Sequence, residues 1–348
     1  MKDKFLIVGA GVAGLSCAFR LEQKGVDFKL IDSGKNASSR IAAGMINPLV
    51  FRRMLLGWRV PEALPELKIF YKELEQLTGK NYLNPIRMRR AFAHEMEFDL
   101  WQEKIALPEY KDYLTPITEA DRTDESVKNT FGTGVLKQAY YVSTVAFLEE
   151  MQERYREMGK LEYKAFQYEN LNPQELIYEG VSYKGIVFCE GYQGKENPWF
   201  QEIPLQQTKG EVLRATSEDL SETESLNRKC FVLPVGNKEF KIGATFAWNT
   251  TDLSCTEEAK EKLLEHYDSL TDAKIEVIGQ EAGIRPTVPD RRPLMGKHRD
   301  YPGLFYMNGL GTKGYLLAPL MSLEFVEFLL SGKELHPEVD LYRFVKKS

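Results

Sequence analysis

The chain has 348 residues, of which 43% are hydrophobic, and it carries a formal net charge of −5. This length favours two domains with a sizeable core, and the acidic balance argues against a surface that binds DNA. The four cysteines form no CxxC pair, which argues against a zinc site or a disulfide framework and favours a cytoplasmic protein. We identify no apolar run long enough to span a bilayer and therefore predict no membrane association.

The first 32 residues predict a βαβ unit. Phe5–Val8 is a continuous apolar run, typical of a strand that is buried on both faces. A glycine-rich turn follows, and apolar residues then recur at helical spacing until Gly25. Phe28–Asp32 predicts a second strand, and a crossover of this kind implies a parallel sheet.

Further along the chain, helical and strand-like patterns alternate. Residues 33–60 are expected to be irregular, and residues 80–130 are interpreted as strands and loops. The other predicted elements are helices over 67–77, 145–158, 256–270 and 317–330, and strands over 185–189, 211–215, 231–235, 240–245 and 303–308.

We therefore predict an α/β fold (α+β overall) in which two domains are interleaved. Residues 1–79, 135–200 and 281–348 carry the parallel-sheet pattern and are expected to form a discontinuous nucleotide-binding domain. Residues 80–134 and 201–280 are expected to form a substrate-binding domain with a mixed, mostly antiparallel sheet.

The turn of the βαβ unit fits the dinucleotide pattern G-x-G-x-x-G, and Asp32 ends the next strand. The glycines permit a tight turn and a close approach of a pyrophosphate to the helix N-terminus, while Asp32 accepts hydrogen bonds from a ribose diol. A carboxylate at this point disfavours NADP, whose 2′-phosphate it repels. The residues predicted to bind the dinucleotide here are Gly9, Gly11, Val12, Ala13, Gly14, Asp32 and Ser33.

Four further segments carry a family resemblance. They are the Ser/Ala-rich stretch 38–45, the strand 209–214, the hairpin 233–245 with Gly-Ala-Thr at its end, and residues 283–319. Together with the nucleotide motif, they resemble the D-amino-acid oxidase (DAO) superfamily of FAD enzymes, in particular its glycine-oxidase and tRNA-modifying branches. The likeness covers nearly the whole chain.

The resemblance implies a Rossmann-like FAD domain of the glutathione-reductase type and a substrate domain with a large mixed sheet over the flavin. It also implies further FAD-binding residues, namely Ser39, Arg40, Ala43, Gly44, Met45, Gly191, Gly311, Thr312, Lys313, Gly314 and Tyr315. In relatives with covalent flavin, the attachment cysteine lies shortly before the last glycine loop. Because no cysteine follows Cys255, we expect FAD to be bound non-covalently.

Arg285 and Lys313 are the predicted catalytic residues. The resemblance assigns Arg285 to the substrate carboxylate, which a guanidinium can hold by two parallel hydrogen bonds. Lys313 is expected to stabilise negative charge on the reduced flavin or to affect the reaction with oxygen. Arg52 is the second predicted substrate-binding residue. Glycine-oxidase-like sequences tend to carry a basic residue where this chain has Thr312, which argues against a small α-amino acid as substrate.

The predicted function is the FAD-dependent oxidation of a carbon–nitrogen bond in a small amine or amino acid, by hydride transfer to the flavin. Three alternatives remain open: a flavoenzyme acting on a modified tRNA base, a flavin-binding protein without turnover, and an NAD-dependent dehydrogenase. The acidic charge disfavours RNA as a partner without ruling it out. No metal is expected, and the oligomeric state is left open.

Overall fold

The computed structural model describes residues 4–35, 38–123, 126–248 and 250–344, without the side chains of residues 52 and 123. Its α-helices are α1 (Val12–Gln23), α2 (Ser38–Ile41), α3 (Val60–Thr78), α4 (Glu95–Ile105), α5 (Glu119–Thr123), α6 (Thr144–Glu157), α7 (Glu257–Asp268) and α8 (Gly314–Ser331). Its strands are β1 (Lys4–Val8), β2 (Asp27–Asp32), β3 (Met45–Ile46), β4 (Leu49–Val50), β5 (Leu55–Leu56), β6 (Leu83–Pro85), β7 (Arg87–Ala91), β8 (Thr133–Leu136), β9 (Tyr140–Val142), β10 (Leu161–Tyr163), β11 (Leu171–Asn172), β12 (Ile177–Tyr178), β13 (Val181–Ser182), β14 (Gly185–Phe188), β15 (Gln206–Thr216), β16 (Glu224–Asn227), β17 (Phe231–Gly236), β18 (Glu239–Gly243), β19 (Ala247–Trp248), β20 (Glu276–Thr287), β21 (Leu294–Lys297) and β22 (Leu304–Asn308).

One sheet carries the nucleotide-binding half of the fold. Its strand order is β10-β2-β1-β14-β22-β21, and all neighbours are parallel except β21 and β22. Alternate residues of β1 enter two different cores, with Phe5 and Ile7 on the side of α1, α3 and α8 and Leu6 and Val8 on the other. The continuous apolar run of β1 therefore reflects burial on both faces, as predicted.

A second, mostly antiparallel sheet faces the first across the cavity described below. Its order is β19-β15-β18-β17-β16-β7-β8, and the long strand β20 pairs with β15. Helix α7 covers the outer face of this sheet, where Leu263 and Tyr267 pack against Leu213 and Ile242. The opposite face is turned toward the nucleotide-binding half. The predicted fold class is thus confirmed.

The interpretation of residues 80–130 as strands and loops only is wrong, because α4 occupies Glu95–Ile105. Trp101 of this helix is buried, and its indole N–H donates to the carbonyl of Thr115 at 3.0 Å. Glu97 is buried as well and forms an ion pair with Arg90. A carboxylate at a core-facing position breaks the apolar periodicity, which explains why the sequence pattern concealed this helix.

Two other helices begin earlier than predicted. Helix α3 begins at Val60, with Pro61 in its first turn, where the missing N–H of a proline costs no intrahelical hydrogen bond. Helix α8 begins at Gly314 and ends where Gly332 adopts a left-handed conformation.

The expectation that no apolar run is long enough to span a bilayer is wrong for the segment that includes α8. By length and composition alone, Gly311–Ser331 is sufficient to span one, with a mean hydropathy of 1.4. In the fold, 56% of that stretch is buried, and α8 packs against α1 and α3. Burial in the core accounts for an apolar surface around a helix. The absence of membrane association stays a prediction.

The division into domains also stays a prediction. Strand β20 runs across the expected boundary at residue 280 and pairs with β15 along its length. Its first half belongs to the sheet under α7, while its second half reaches the 191–196 turn of the nucleotide-binding half. This strand physically joins the two predicted units.

Candidate functional site

The turn between β1 and α1 is shaped by glycines. Gly9 adopts φ +103°, and a Cβ atom there would overlap the carbonyl oxygen of Cys189. A Cβ on Gly14 would overlap the carbonyl oxygen of Gly9. Gly11, the N-cap of α1, has no side chain to cap the helix, and the first turn contains no acidic residue. The N–H of Val12 donates to the hydroxyl of Ser39 at 3.2 Å. The first N–H groups of α1 are therefore suited to an anion such as a phosphate.

Asp32 lies at the carboxyl end of β2, beside this turn. Its Oδ2 accepts a hydrogen bond from the backbone N–H of Ala10 at 2.6 Å, and its Oδ1 accepts one from Gly34 at 2.7 Å. These bonds fix the carboxylate at the wall of a cavity of about 260 Å³, which Gln152 and Tyr163 also line. Each carboxylate oxygen can accept a second hydrogen bond from a ligand.

A larger cavity of about 410 Å³ extends from the N-terminus of α1 to the inner face of the second sheet. Its walls come from the turn after β1, the 38–47 segment, the second sheet and the segment that leads into α8. Among the described residues that line it, none is an aspartate or a glutamate, whereas Arg228, Lys229, Arg285 and Lys313 are basic. The cavity is therefore suited to an anionic ligand.

The 38–45 segment is held rigidly at one wall of the larger cavity. Gly44 adopts φ +71°, and a Cβ atom there would overlap the carbonyl oxygen of Val142. The hydroxyl of Thr144 donates to the carbonyl of Ala42 at 3.2 Å. The ammonium of Lys241, on β18, donates to the same carbonyl at 3.2 Å. Residues from both predicted domains thus hold this segment in place.

The turn after β14 forms another part of the wall. Glu190 is held by the Tyr168 hydroxyl at 2.6 Å and by the Asn197 amide at 2.9 Å. Burial raises the pKa of the Glu190 carboxyl to about 7. The amide of Asn308 donates to the carbonyl of Gly191 at 2.8 Å, which joins this turn to the end of β22.

Lys313 lies at the start of α8 and lines the larger cavity. Its Nζ donates to the carbonyl of Asn47 at 2.9 Å and to that of Leu49 at 3.4 Å. Burial lowers the pKa of the ammonium to about 8, and the described residues supply no carboxylate partner to oppose this shift. The neighbouring Tyr315 hydroxyl donates to the carbonyl of Ser39 at 2.8 Å, so α8 and the 38–45 segment are linked.

Arg285 projects from β20 into the larger cavity. A Cβ on Gly210 would overlap its guanidinium, and the ring of Phe246 lies 4.6 Å from its Cζ on another side. Nη1 donates to the carbonyl of Thr245 at 3.2 Å. Within the described chain, Arg285 has no carboxylate partner, and burial lowers its pKa to about 10. The fixed guanidinium therefore retains unused N–H donors.

Most of the predicted site residues lie together. Those lining the larger cavity are Gly11, Val12, Ala13, Ser39, Ala43, Gly44, Met45, Gly191, Arg285, Gly311, Thr312, Lys313, Gly314 and Tyr315. Asp32 and Arg40 line the smaller cavity. Gly9, Gly14 and Ser33 line neither, and the Ser33 hydroxyl accepts a hydrogen bond from Lys35 at 3.3 Å. The side chain of Arg52 lies outside the described part of the chain.

Sequence reasoning missed several residues at the site. Phe51, Phe231 and Phe246 line the larger cavity, and Gly210 makes room for Arg285. Gly210 stands inside a segment that carried the family resemblance, and its position in a strand could have suggested a close approach by another group. Lys241, a buried cation between the buried residues Phe240 and Ile242, was also overlooked.

Replacing Gly9 with alanine should destabilise the protein by about 3 kcal/mol and lower its content of bound dinucleotide, because the methyl group adds a backbone overlap to an unfavourable φ. Gly25→Ala is a matched control. Gly25 also has a positive φ, +65°, but its Cβ would meet nothing within 4 Å, so we expect a cost of about 1 kcal/mol. Urea unfolding and the absorbance of the bound dinucleotide measure both effects. Equal costs for the two variants would contradict the assigned overlap.

Comparison with known proteins agrees with this architecture. The family described as FAD dependent oxidoreductase (DAO) matches residues 4–327. The glycine oxidase of Pseudomonas aeruginosa is 24% identical in an alignment of 363 positions, which covers 96% of each chain. The tRNA 5-methylaminomethyl-2-thiouridine biosynthesis bifunctional protein MnmC of Acinetobacter baylyi is 24% identical in an alignment of 378 positions, which covers 99% of this chain and 56% of that protein.

Among solved structures, the glycine oxidase of Geobacillus kaustophilus superposes with a TM-score of 0.79 at 21% identity, with 96% of each chain covered. This likeness shows a shared fold. The family match extends from the first strand of the nucleotide-binding sheet into α8 and so includes both sheets and both cavities. The chain therefore belongs to the DAO family of FAD-dependent oxidoreductases.

Proposed function

We propose that this protein oxidises a carbon–nitrogen bond in an amine or amino acid that carries a carboxylate, using non-covalently bound FAD. The supporting observation is Arg285, a fixed guanidinium with unused donors, in a cavity whose described lining contains no acid. A carboxylate is the complementary partner for such a group.

The residues at the two cavities fit FAD. The N-terminus of α1 offers backbone N–H groups to a diphosphate, and Asp32 is placed to accept hydrogen bonds from a ribose. The 42–45 and 311–315 segments would enclose the flavin ring between the first sheet and the second. Gly44 and Gly311 in these segments adopt a left-handed backbone conformation, which glycine takes without strain.

When bound, FAD supplies a hydride acceptor. The protein's own contribution would be positioning: Arg285 would hold the substrate carboxylate and so orient the carbon next to nitrogen. No aspartate, glutamate or histidine occurs among the described residues that line the larger cavity. We therefore expect the substrate to react as the neutral amine, without a carboxylate or imidazole to remove its proton.

The cysteines favour non-covalent attachment. Cys189 and Cys230 line the larger cavity, but burial raises the pKa of both thiols, that of Cys230 to about 12. The thiolate is the nucleophilic form of cysteine, so neither residue is activated to form a bond at neutral pH. Cys255 is exposed and does not line the cavity.

Acid precipitation of the yellow protein should leave all of the flavin in the supernatant, as expected for FAD that no cysteine attaches. The flavin spectrum of the pellet and the mass of the intact chain measure this directly. A pellet that stays yellow, with the mass of one flavin added to the chain, would contradict non-covalent binding.

The reaction is tested by anaerobic mixing of the FAD-loaded protein with D-amino acids, L-amino acids, glycine, sarcosine and proline. At least one compound should bleach the flavin absorbance, and bleaching should be faster at higher pH, where more of the amine is neutral. If no amine bleaches the flavin at any pH, the catalytic proposal fails, and binding without turnover is favoured. A purified protein that contains NAD and no flavin would also contradict it.

A second candidate is oxidation of a modified tRNA base. It is supported by the likeness to the bifunctional protein MnmC, of which this chain spans about half the length. The net charge of −5 opposes it, because phosphate contacts require a basic surface. A salt-sensitive gel shift with tRNA, followed by bleaching of the flavin by that tRNA, would support this candidate over a free amino acid.

A further inference from the structure

Two exposed aromatic residues follow Ala244, which lines the larger cavity. Phe246 and Trp248 are two residues apart, and their side chains are 58% and 57% exposed. Phe246 lines the cavity and contacts the guanidinium of Arg285 at 4.6 Å. Single exposed aromatic residues are ordinary, but two at neighbouring positions, one of which lines a cavity, indicate a binding surface.

The sheet register places Trp248 on the same face as Arg285. Thr208 of β15 is the direct partner of Trp248 on one side and of Arg285 on the other. Directly paired residues of antiparallel strands project from the same face of a sheet. Neighbouring strands are about 4.8 Å apart, so the backbone of Trp248 lies ~10 Å from that of Arg285. Phe246 lines the cavity beside the guanidinium.

The surface from Arg285 to Trp248 has one cationic end and one apolar end. Phe51 and Phe231 add two more rings to the cavity wall, and no carboxylate occurs among its described residues. A ligand whose carboxylate reaches Arg285 therefore meets aromatic surface with the rest of its atoms. An amino acid as small as glycine would leave Trp248 uncovered, because it has no side chain to place against the rings.

We propose that Phe246 and Trp248 bind a large apolar side chain, aromatic in the best case, of an amino acid whose carboxylate Arg285 holds. This inference rests on the function proposed above and names its substrate class. Phe246 has a second role as a positioning residue, because its ring supports the guanidinium. Trp248 touches only the remote part of the substrate and so determines specificity.

Binding of unreactive carboxylates tests the surface without requiring turnover. The FAD-loaded protein is titrated with acetate and with phenylacetate, and both the flavin absorbance and the tryptophan fluorescence are followed. Phenylacetate should bind on the order of tenfold more tightly than acetate, because its ring becomes buried against Phe246 and Trp248. Trp248→Ala should remove most of that preference and leave the affinity for acetate unchanged. Phe131→Ala, at another exposed aromatic residue, is the matched control and should change neither affinity.

Turnover separates this inference from the proposed function. Anaerobic bleaching by alanine, leucine and phenylalanine, in both enantiomers, should be fastest with the largest side chain, and Trp248→Ala should raise KM for phenylalanine alone. Bleaching by several amines without any size preference, in the wild type and in Trp248→Ala alike, would overturn the inference and leave the proposed function intact. If no amine bleaches the flavin but phenylacetate still binds tightly, the proposed function fails, whereas binding of an apolar group by Phe246 and Trp248 is supported.

The same variant tests other occupants of the aromatic pair. If Trp248→Ala converts a dimer to a monomer in gel filtration, or weakens a tRNA gel shift, while carboxylate affinities are unchanged, the pair is an interface and not a substrate site. Either result would overturn the inference. An unchanged elution volume with an altered phenylacetate affinity supports it.

Discussion

Arg285→Met is expected to lower kcat/KM for an amino-acid substrate by about a thousandfold, equivalent to ~4 kcal/mol, while the bound FAD is retained. The reason is that the substrate carboxylate would lose its cationic partner in the cavity. In the wild type, this guanidinium is held in place by its contacts with Gly210 and Phe246. Stopped-flow bleaching under anaerobic conditions gives the loss, and absorbance of the purified variant gives the flavin content.

Arg285→Lys separates charge from geometry. A lysine retains the positive charge but cannot form two parallel hydrogen bonds to a carboxylate, so an intermediate loss is expected. An amine without a carboxylate should be affected far less by either variant. If both variants impair all amines equally, Arg285 does not bind the carboxylate.

Gly210→Ala should reproduce part of this loss without altering Arg285 itself. The new methyl group would overlap the guanidinium, and because that group ends a flexible side chain, it can move while the sheet stays intact. KM for a carboxylate substrate should therefore rise, with little change in stability. Gly279→Ala is the control on the partner strand, where the nearest atom to the new Cβ is 4.0 Å away.

The sequence was most informative where function and local structure depend on the same few residues. The glycines of the first turn and Asp32 are contiguous with their strands and helix, so both the fold of this unit and its ligand could be predicted together. Arg285 was found through family resemblance. The position of its guanidinium between Gly210 and Phe246 could not be predicted, because that position depends on the register of β15 against β20 and β19.

Long-range pairing also explains the other omissions. Lys241 acts on the 38–45 segment from a strand some two hundred residues later, and only the tertiary fold brings its ammonium to the carbonyl of Ala42. Helix α4 was concealed because Glu97 occupies a core position, where it is neutralised by Arg90. A buried ion pair is invisible to hydrophobic periodicity, which records only apolar contacts.

Lys313→Met is expected to slow flavin bleaching about tenfold at pH 7, corresponding to ~1.4 kcal/mol, and to have no effect at pH 9.5. Burial lowers the pKa of this ammonium from its ordinary value of 10.5 to about 8. The positive charge is therefore present below about pH 8 and is lost as the pH rises through that value. A positively charged Lys313 beside the flavin would stabilise the negative charge that develops on the ring when the hydride arrives, whereas a neutral Lys313 would not.

The ratio of wild-type to variant rates, measured at each pH with one substrate, isolates this effect, because the titration of the substrate amine cancels. Lys313→Arg is the control: its guanidinium stays charged, so its rate should exceed that of the methionine variant at pH 7 and at pH 9.5 alike. A ratio that is constant with pH would show that the ammonium acts only through its hydrogen bonds to Asn47 and Leu49. In that case the charge at the start of α8 would have a structural role, and stabilisation of the reduced flavin would have to come from backbone N–H groups of the 311–314 segment.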